Sequence, residues 1–121
     1  MGTALVIDDS STERSIISDY CQRLGIEVAT AASGEEALEK LAQATPDVIV
    51  LDIVLPGRSG FEICRELKER ENTKNIPVIL CSTKGTDMDK FWGKRQGANA
   101  YITKPIDQEE FNRTIKQFLN L

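Results

Sequence analysis

Six polar side chains stand directly behind short apolar runs. Asp8 and Asp9 follow Ala4-Leu5-Val6-Ile7, and Asp52 follows Val48-Ile49-Val50-Leu51. Ser82 and Thr83 follow Val78-Ile79-Leu80-Cys81, while Lys104, with Pro105 behind it, follows Ala100-Tyr101-Ile102-Thr103. If these runs are neighbouring parallel strands, the polar groups converge on one sheet edge, where such sheets bind ligands. Three carboxylates gathered there repel one another, and burial strengthens the repulsion. One lysine does not offset three charges. A hard divalent cation with oxygen ligands does; Mg²⁺ fits best, and Mn²⁺ accepts the same donors. Mg²⁺ also binds phosphate oxygens, which points to phosphoryl chemistry. A carboxylate beside Mg²⁺ and lysine can attack phosphorus and form an aspartyl phosphate. The cations neutralise charge on the transferred group, and a hydroxyl can donate to another of its oxygens.

The elements that must position these groups are legible in the apolar spacing. The runs at 4–7, 48–51 and 78–81 are short, continuous and rich in β-branched residues, as strands buried on both faces are. Glu27–Ala31 and Ala100–Thr103 are weaker runs that suit edge strands. Between them lie helical stripes: Ile16, Ile17, Tyr20, Cys21 and Leu24; Ala37, Leu38 and Leu41; Phe61, Cys64 and Leu67; and Phe111, Ile115, Phe118 and Leu119. Gly25 suits the position after the first helix. Ser10, Ser33 and Asp107 each precede a Glu by three places, an N-cap signature. Thr86–Gln96 is a more polar helix that carries Phe91 and Trp92 and ends at Gly97. The last helix is expected to run to the chain end. Strands alternating with helices predict an α/β fold: a five-stranded parallel sheet with five helices on both faces. The leading strand order is 2-1-3-4-5, the doubly wound, flavodoxin-like arrangement.

Composition narrows the function further. The chain has 121 residues, 15 Lys+Arg, 19 Asp+Glu and a formal net charge of −4. That length predicts one domain over residues 1–121, with no output domain, that folds without disulfide or metal. The acidic balance argues against nucleic acid as a direct partner. With no His in the chain, a Ser-His-Asp triad, His-ligated zinc and a phosphohistidine are excluded. Cys21, Cys64 and Cys81 are widely spaced in apolar stretches and read as buried hydrophobes of a reducing cytosol. No run approaches the roughly 18 apolar residues of a membrane span. The N-terminus opens directly on a strand pattern, so the expected location is cytoplasmic.

Taken together, the motifs resemble the receiver domain of two-component response regulators over the full length. The matching pieces are Val6-Ile7-Asp8-Asp9-Ser10, Leu51-Asp52-Ile53-Val54-Leu55-Pro56-Gly57, Gly60-Phe61, Cys81-Ser82-Thr83, Gly97-Ala98 and Tyr101-Ile102-Thr103-Lys104-Pro105. The resemblance implies Asp52 as phosphoacceptor, Asp9 as direct Mg²⁺ ligand and Asp8 as a ligand acting largely through water. It implies that Val54 offers its backbone carbonyl to the metal. Ser82 becomes the hydroxyl that turns toward the phosphoryl group, Lys104 the charged phosphate contact, Tyr101 the aromatic rotamer switch, and Pro105 the residue after a cis peptide bond. It also implies a sensor histidine kinase or phosphotransfer domain as donor. A downstream target protein would bind the face of the fourth helix, fifth strand and fifth helix, and the chain would be a monomer or weak homodimer. Such a chain is a phosphoacceptor that promotes its own phosphotransfer and autodephosphorylation, not an enzyme. The pathway implied is chemotaxis-like or motility signalling, since Phe91–Ala98 looks most like receivers of twitching-motility chemosensory systems.

Some positions depart from the common pattern or vary within it. Ser59 replaces a frequent acidic residue, a loop variation away from the metal. Thr83 is bulkier than the small residue usually found there, so it would narrow access to the phosphoryl group and is a second candidate for the moving hydroxyl. Val54 and Lys84 occupy variable positions flanking the site, and an apolar Val54 cannot orient an attacking water, which predicts slow hydrolysis. The rivals are a larger regulator of which this is a fragment, an Asp-nucleophile phosphatase and a flavodoxin-like nucleotide or flavin module. The phosphatase would need an acid/base carboxylate where Val54 stands. The binding module would need a phosphate-cradling loop where Asp8 and Asp9 would repel phosphate.

Overall fold

A computed structural model describes residues 2–120 of the chain. The elements alternate as the apolar spacing predicts: β1 (Thr3–Ile7), α1 (Ser11–Arg23), β2 (Glu27–Ala31), α2 (Gly34–Leu41), β3 (Val48–Leu51), α3 (Gly60–Glu69), β4 (Val78–Ser82), α4 (Asp87–Arg95), β5 (Ala100–Thr103) and α5 (Gln108–Phe118). All strand pairs are parallel, in the order β2-β1-β3-β4-β5. The two weaker apolar runs are the two edges.

The continuous apolar runs have a simple cause. Successive side chains of a strand point to opposite faces, and here both faces are covered. Leu5, Ile7, Ile49, Leu51, Val78 and Leu80 join Ala37 and Leu41 of α2 and Ile63, Cys64 and Leu67 of α3 in one core. Ala4, Val6, Val48, Val50, Ile79, Cys81 and Ile102 join Ile17 and Cys21 of α1 and Phe111 and Ile115 of α5 in the other. All four residues of β3 are buried, and each large side chain so buried contributes about 1.5–3 kcal/mol.

Every helix start has a side-chain cap. Ser10, Ser33, Ser59, Thr86 and Asp107 each accept the N–H three residues on, at 3.1–3.3 Å, and each such cap is worth about 1 kcal/mol. Among the described residues the reciprocal bond forms only in α4, where Asp89 accepts the Thr86 N–H. Glu36 instead takes the Ala32 N–H at 2.7 Å. Gly25 and Gly97 end α1 and α4 with φ of +80° and +99°.

Three sequence expectations are corrected. Ile16 is 38% exposed, because its position turns away from the α1 stripe that Ile17 and Cys21 bury. In α3 the buried stripe is Ile63, Cys64 and Leu67, with Phe61 only half-buried, because Gly60 sits against the sheet and leaves Phe61 at the rim. Helix α5 ends at Phe118, and Leu119 caps it with extended backbone.

One close approach couples this frame to the site. A Cβ on Gly60 would lie 2.0 Å from the Asp52 carbonyl oxygen and 2.7 Å from Ile53 Cα. The Gly60 N–H also bonds the Ile53 carbonyl at 2.7 Å. The start of α3 is thereby pressed onto the residue that ends β3. Gly60→Ala is expected to cost about 3 kcal/mol, the upper range for overpacking, because the obstructing atoms are backbone. Urea unfolding would show a lower midpoint. An unchanged midpoint would mean that this turn can move off Asp52.

Candidate functional site

The sheet ladders run past the strand ends and carry the polar groups with them. The Asp52 N–H bonds the Ile7 carbonyl at 2.9 Å, the Asp8 N–H bonds the Ala31 carbonyl at 3.1 Å, and the Lys104 N–H bonds the Ser82 carbonyl at 2.9 Å. Asp8, Asp52 and Ser82 are buried, and Asp9 is exposed. Lys104 Nζ lies 2.7 Å from Asp8 Oδ2, 3.2 Å from Asp52 Oδ2 and 3.9 Å from Glu13 Oε2. The free oxygens are held as well: Asp8 Oδ1 accepts the Ser10 N–H at 3.0 Å, and Asp52 Oδ1 accepts the Val54 N–H at 3.3 Å.

Asp8, Asp9 and Asp52 each bring a carboxylate oxygen within 4.8 Å of the others. Two charges about 4 Å apart repel by about 4 kcal/mol at an effective dielectric near 20. Lys104 compensates one of the three. The donor set is all oxygen and opens to solvent through Asp9, so these three residues could hold a hard cation. The titration behaviour follows the same forces. Burial holds the Asp52 carboxyl above its ordinary range, the Asp8 charge adds to this, and Lys104 opposes it. Burial would lower Lys104, but its bonds to Asp8 and the charge of Asp52 outweigh burial and hold it above its usual value. Lys104 is therefore a cation at neutral pH.

The other expected residues are placed around this cluster. Ser82 Oγ accepts the Lys84 N–H at 3.3 Å, which leaves its proton free to donate. Thr83 is exposed. The Lys104–Pro105 peptide is cis, as the resemblance implied. Tyr101 is half-buried, and its hydroxyl donates to the Lys84 carbonyl. Burial, and after it the charges of Asp89 and Asp52, push its pKa up to about 12, so it is a neutral phenol. Val54 is 51% exposed and lines a depression of about 390 Å³ with Ile53, Leu55, Phe61 and Lys84. A larger groove of about 460 Å³ lies elsewhere, along β1, β2 and the end of α2. Ser59 has its own explanation here, since its hydroxyl caps α3.

Two contributors escaped the sequence analysis. Arg14 donates to the Asp8 carbonyl at 2.7 Å, and Glu13 stands near Lys104. Glu13 was legible only as a helix-start residue. Nothing in the local sequence marks Arg14. The cysteines behave as expected of buried hydrophobes: burial pushes Cys21 up to about 12 and Cys64 up to about 11, and Cys81 is raised too.

Comparison with known proteins agrees with this geometry. A sequence profile described as response regulator receiver domain matches residues 4–116. The chain is 41% identical to Protein PilH of Pseudomonas aeruginosa over 98% of both chains. It is 38% identical to Protein PilG of the same organism, over 93% of this chain and 83% of that one. Among solved structures, chemotaxis protein CheY4 of Vibrio cholerae superposes with a TM-score of 0.91 at 34% identity, over 98% of this chain and 99% of that one. Other relatives are transcriptional regulatory proteins, and the chain spans about half of their length.

A carboxyl whose pKa is raised on folding destabilises the native state above that pKa, and the penalty fades as pH falls through it toward the unfolded value. In chelated buffer at neutral pH, Asp52→Asn is therefore expected to be more stable than wild type. The difference should shrink on acidification toward pH about 4. Thermal unfolding across that range checks both points. A variant less stable at neutral pH would show that the Lys104 contact outweighs burial.

Proposed function

The chain belongs to the response regulator receiver domain family, a phosphorylation switch of two-component signalling, and we propose the following roles for its residues. Asp52 is the phosphoacceptor. One of its carboxylate oxygens attacks the phosphorus of a phosphohistidine on a sensor histidine kinase or phosphotransfer domain. The new O–P bond forms as the P–N bond breaks, and the imidazole nitrogen keeps the electron pair. Lys104 stays in place and exchanges part of its contact with Asp52 for a phosphoryl oxygen. The Ser82 hydroxyl donates to another oxygen, with exposed Thr83 beside it.

Asp8, Asp9 and Asp52, with the Val54 carbonyl, are the residues proposed to hold Mg²⁺, which when bound supplies charge neutralisation for the incoming phosphoryl group. Ser10 and Arg14 fix Asp8 for this task through its Oδ1 and its carbonyl. The observation that carries the reading is the single buried ammonium shared by Asp8 and Asp52 with the Asp9 carboxylate alongside. A phosphatase is less well supported, because the position two after Asp52 is the apolar, exposed Val54. A nucleotide module is disfavoured by Asp8 and Asp9 at the phosphate position.

Transfer replaces the Lys104–Asp52 contact and draws Ser82 toward the phosphoryl group. Ser82 Oγ then releases the Lys84 N–H, and Tyr101, tied to the Lys84 carbonyl, can turn inward. Phosphorylation biases the two states only by such differential contacts. The signal leaves through the face of α4, β5 and α5 to a target protein. In this proposal the chain is a phosphoacceptor and not an enzyme on a separate substrate, and it acts in the cytoplasm with its kinase. Separately, no described helix is long and apolar enough to cross a membrane. The resemblance of Phe91–Ala98 to receivers of twitching-motility systems, and the match to PilH, support a motility or chemotaxis-like pathway.

Incubation with Mg²⁺ and acetyl phosphate is expected to add one phosphoryl group by intact mass. Chelation should stop the reaction and Asp52→Ala should abolish it. Equal labelling of the alanine variant would remove Asp52 from its role. Val54→Asn is expected to shorten the phosphoryl lifetime several-fold, since an amide there can orient water. Unchanged decay in that variant would show that Val54 does not set the lifetime.

A further inference from the structure

Helix α1 begins with a carboxylate that has lost the task its position gives it. Ser10 and Glu13 stand three apart, the spacing of a capping box, in which the acid returns a bond to the N-cap N–H. The Ser10 hydroxyl does accept the Glu13 N–H at 3.2 Å. The Ser10 N–H, however, goes to Asp8 Oδ1 at 3.0 Å. Among the described residues the Glu13 carboxylate accepts no hydrogen bond. It is 33% exposed, and its Oε2 lies 3.9 Å from Lys104 Nζ, beyond bonding distance.

The charges at the opening do not balance. Asp8, Asp9 and Asp52 form the acidic cluster; Lys104 offsets one of their charges, and a divalent cation would offset the other two. Glu13 is then the acid left over. Arg14 does not take it up, since it donates to the Asp8 carbonyl and its charge acts on Glu36. Lys84 lies on the other side of β3, exposed, where it lines the depression beside Val54. Among the described residues neither cation pairs with Glu13. The neighbouring acids are committed elsewhere: Glu36 accepts the Ala32 N–H and pairs with Lys40, Glu35 lies beside Gly57, and Asp107 caps α5. An unbalanced charge at the mouth of a site changes how readily charged ligands arrive and react there.

We propose that Glu13 is a charge filter on the phosphoryl donor: it slows transfer to Asp52 from free anionic phosphoryl compounds, and the more negative the donor, the greater the slowing. This rests on the receiver reading, because it concerns the donor to Asp52. The ammonium that faces Glu13 also lies 3.2 Å from Asp52 Oδ2, so the two acids flank one cation. At about 7 Å, with one flank in water, each unit of donor charge changes the rate about threefold. Acetyl phosphate, a dianion at neutral pH, is therefore disfavoured more than phosphoramidate, which carries one net negative charge. The switch is thereby partly insulated from free acyl phosphates.

Asp52 labelling of the full chain is followed by intact mass at low salt and saturating Mg²⁺, with acetyl phosphate or phosphoramidate as donor. Glu13→Gln is expected to label about tenfold faster with acetyl phosphate and about threefold faster with phosphoramidate, and high salt should shrink both gains. Glu13→Asp keeps the charge and should keep the wild-type ratio between donors. Glu27→Gln, the same charge change at the opposite end of the sheet, should label as wild type does. Mg²⁺ affinity, read by calorimetry with no donor present, should fall several-fold in Glu13→Gln, because the same charge attracts the cation. Unchanged labelling in Glu13→Gln, an equal gain with both donors, the same gain in Glu27→Gln, or unchanged Mg²⁺ affinity would overturn the filter and leave Asp52 as phosphoacceptor. No labelling of Asp52 in wild type or variant by either donor would overturn the receiver reading, and the filter with it.

Discussion

The site depends on one ammonium held between two buried carboxylates. Lys104 reaches Asp8 from 96 residues away and Asp52 from 52, and both ends of each contact are out of water. Removing Lys104 would leave two buried carboxylates uncompensated, which is far costlier than the contact is favourable, whereas neutralising Asp52 leaves Lys104 its bond to Asp8. The third carboxylate, Asp9, has no such lysine and faces solvent. The cluster is therefore stable but still over-negative, and it is open on the side where a cation or a phosphoryl group would arrive. That imbalance by itself repels a phosphoryl group; a divalent cation held there would cancel the two remaining negative charges.

The fold supplies the rigidity that this arrangement needs. A parallel sheet buried on both faces fixes its strand ends by ladder bonds, and here those bonds extend to Asp8, Asp52 and Lys104 themselves. Gly60 lets α3 start against the Asp52 carbonyl. Three of the charged groups thus sit on backbone that cannot shift without breaking sheet pairing. The residues expected to move, Ser82 and Tyr101, are held more lightly, by single bonds to Lys84. In the proposed switch, rigid charges beside a lightly held hydroxyl and phenol would let electrostatics drive a small packing change.

Helix α4 is the element that the proposed packing change would reach. The other helices bury large apolar side chains, whereas α4 buries only Gly93. It is held by its capping box and by Gly93 against Leu80 and Tyr101, so shifting it costs little side-chain burial. An element near the low-stability end of a fold is the natural one to respond to a switch.

Much of this was legible in the amino-acid order. Continuous apolar runs gave the strands because both faces of the sheet are covered, and Ser10, Ser33 and Asp107 marked helix starts because their side chains replace missing helix bonds. The convergence of Asp8, Asp9, Asp52, Ser82 and Lys104 followed from the parallel topology alone. Other features arise between residues far apart in sequence, so no local pattern encodes them. Lys104 takes Asp8 and Asp52 and leaves Asp9 to solvent; Arg14 holds the Asp8 carbonyl; Ile16 faces water while Ile63 is buried. The sequence marks Phe91 and Trp92 on a polar helix without saying which side faces the sheet; Gly93 occupies the inward side. Sequence periodicity determines which residues share a helix or strand face. Only the packed tertiary structure decides which face is covered, because that depends on how closely two distant backbones approach.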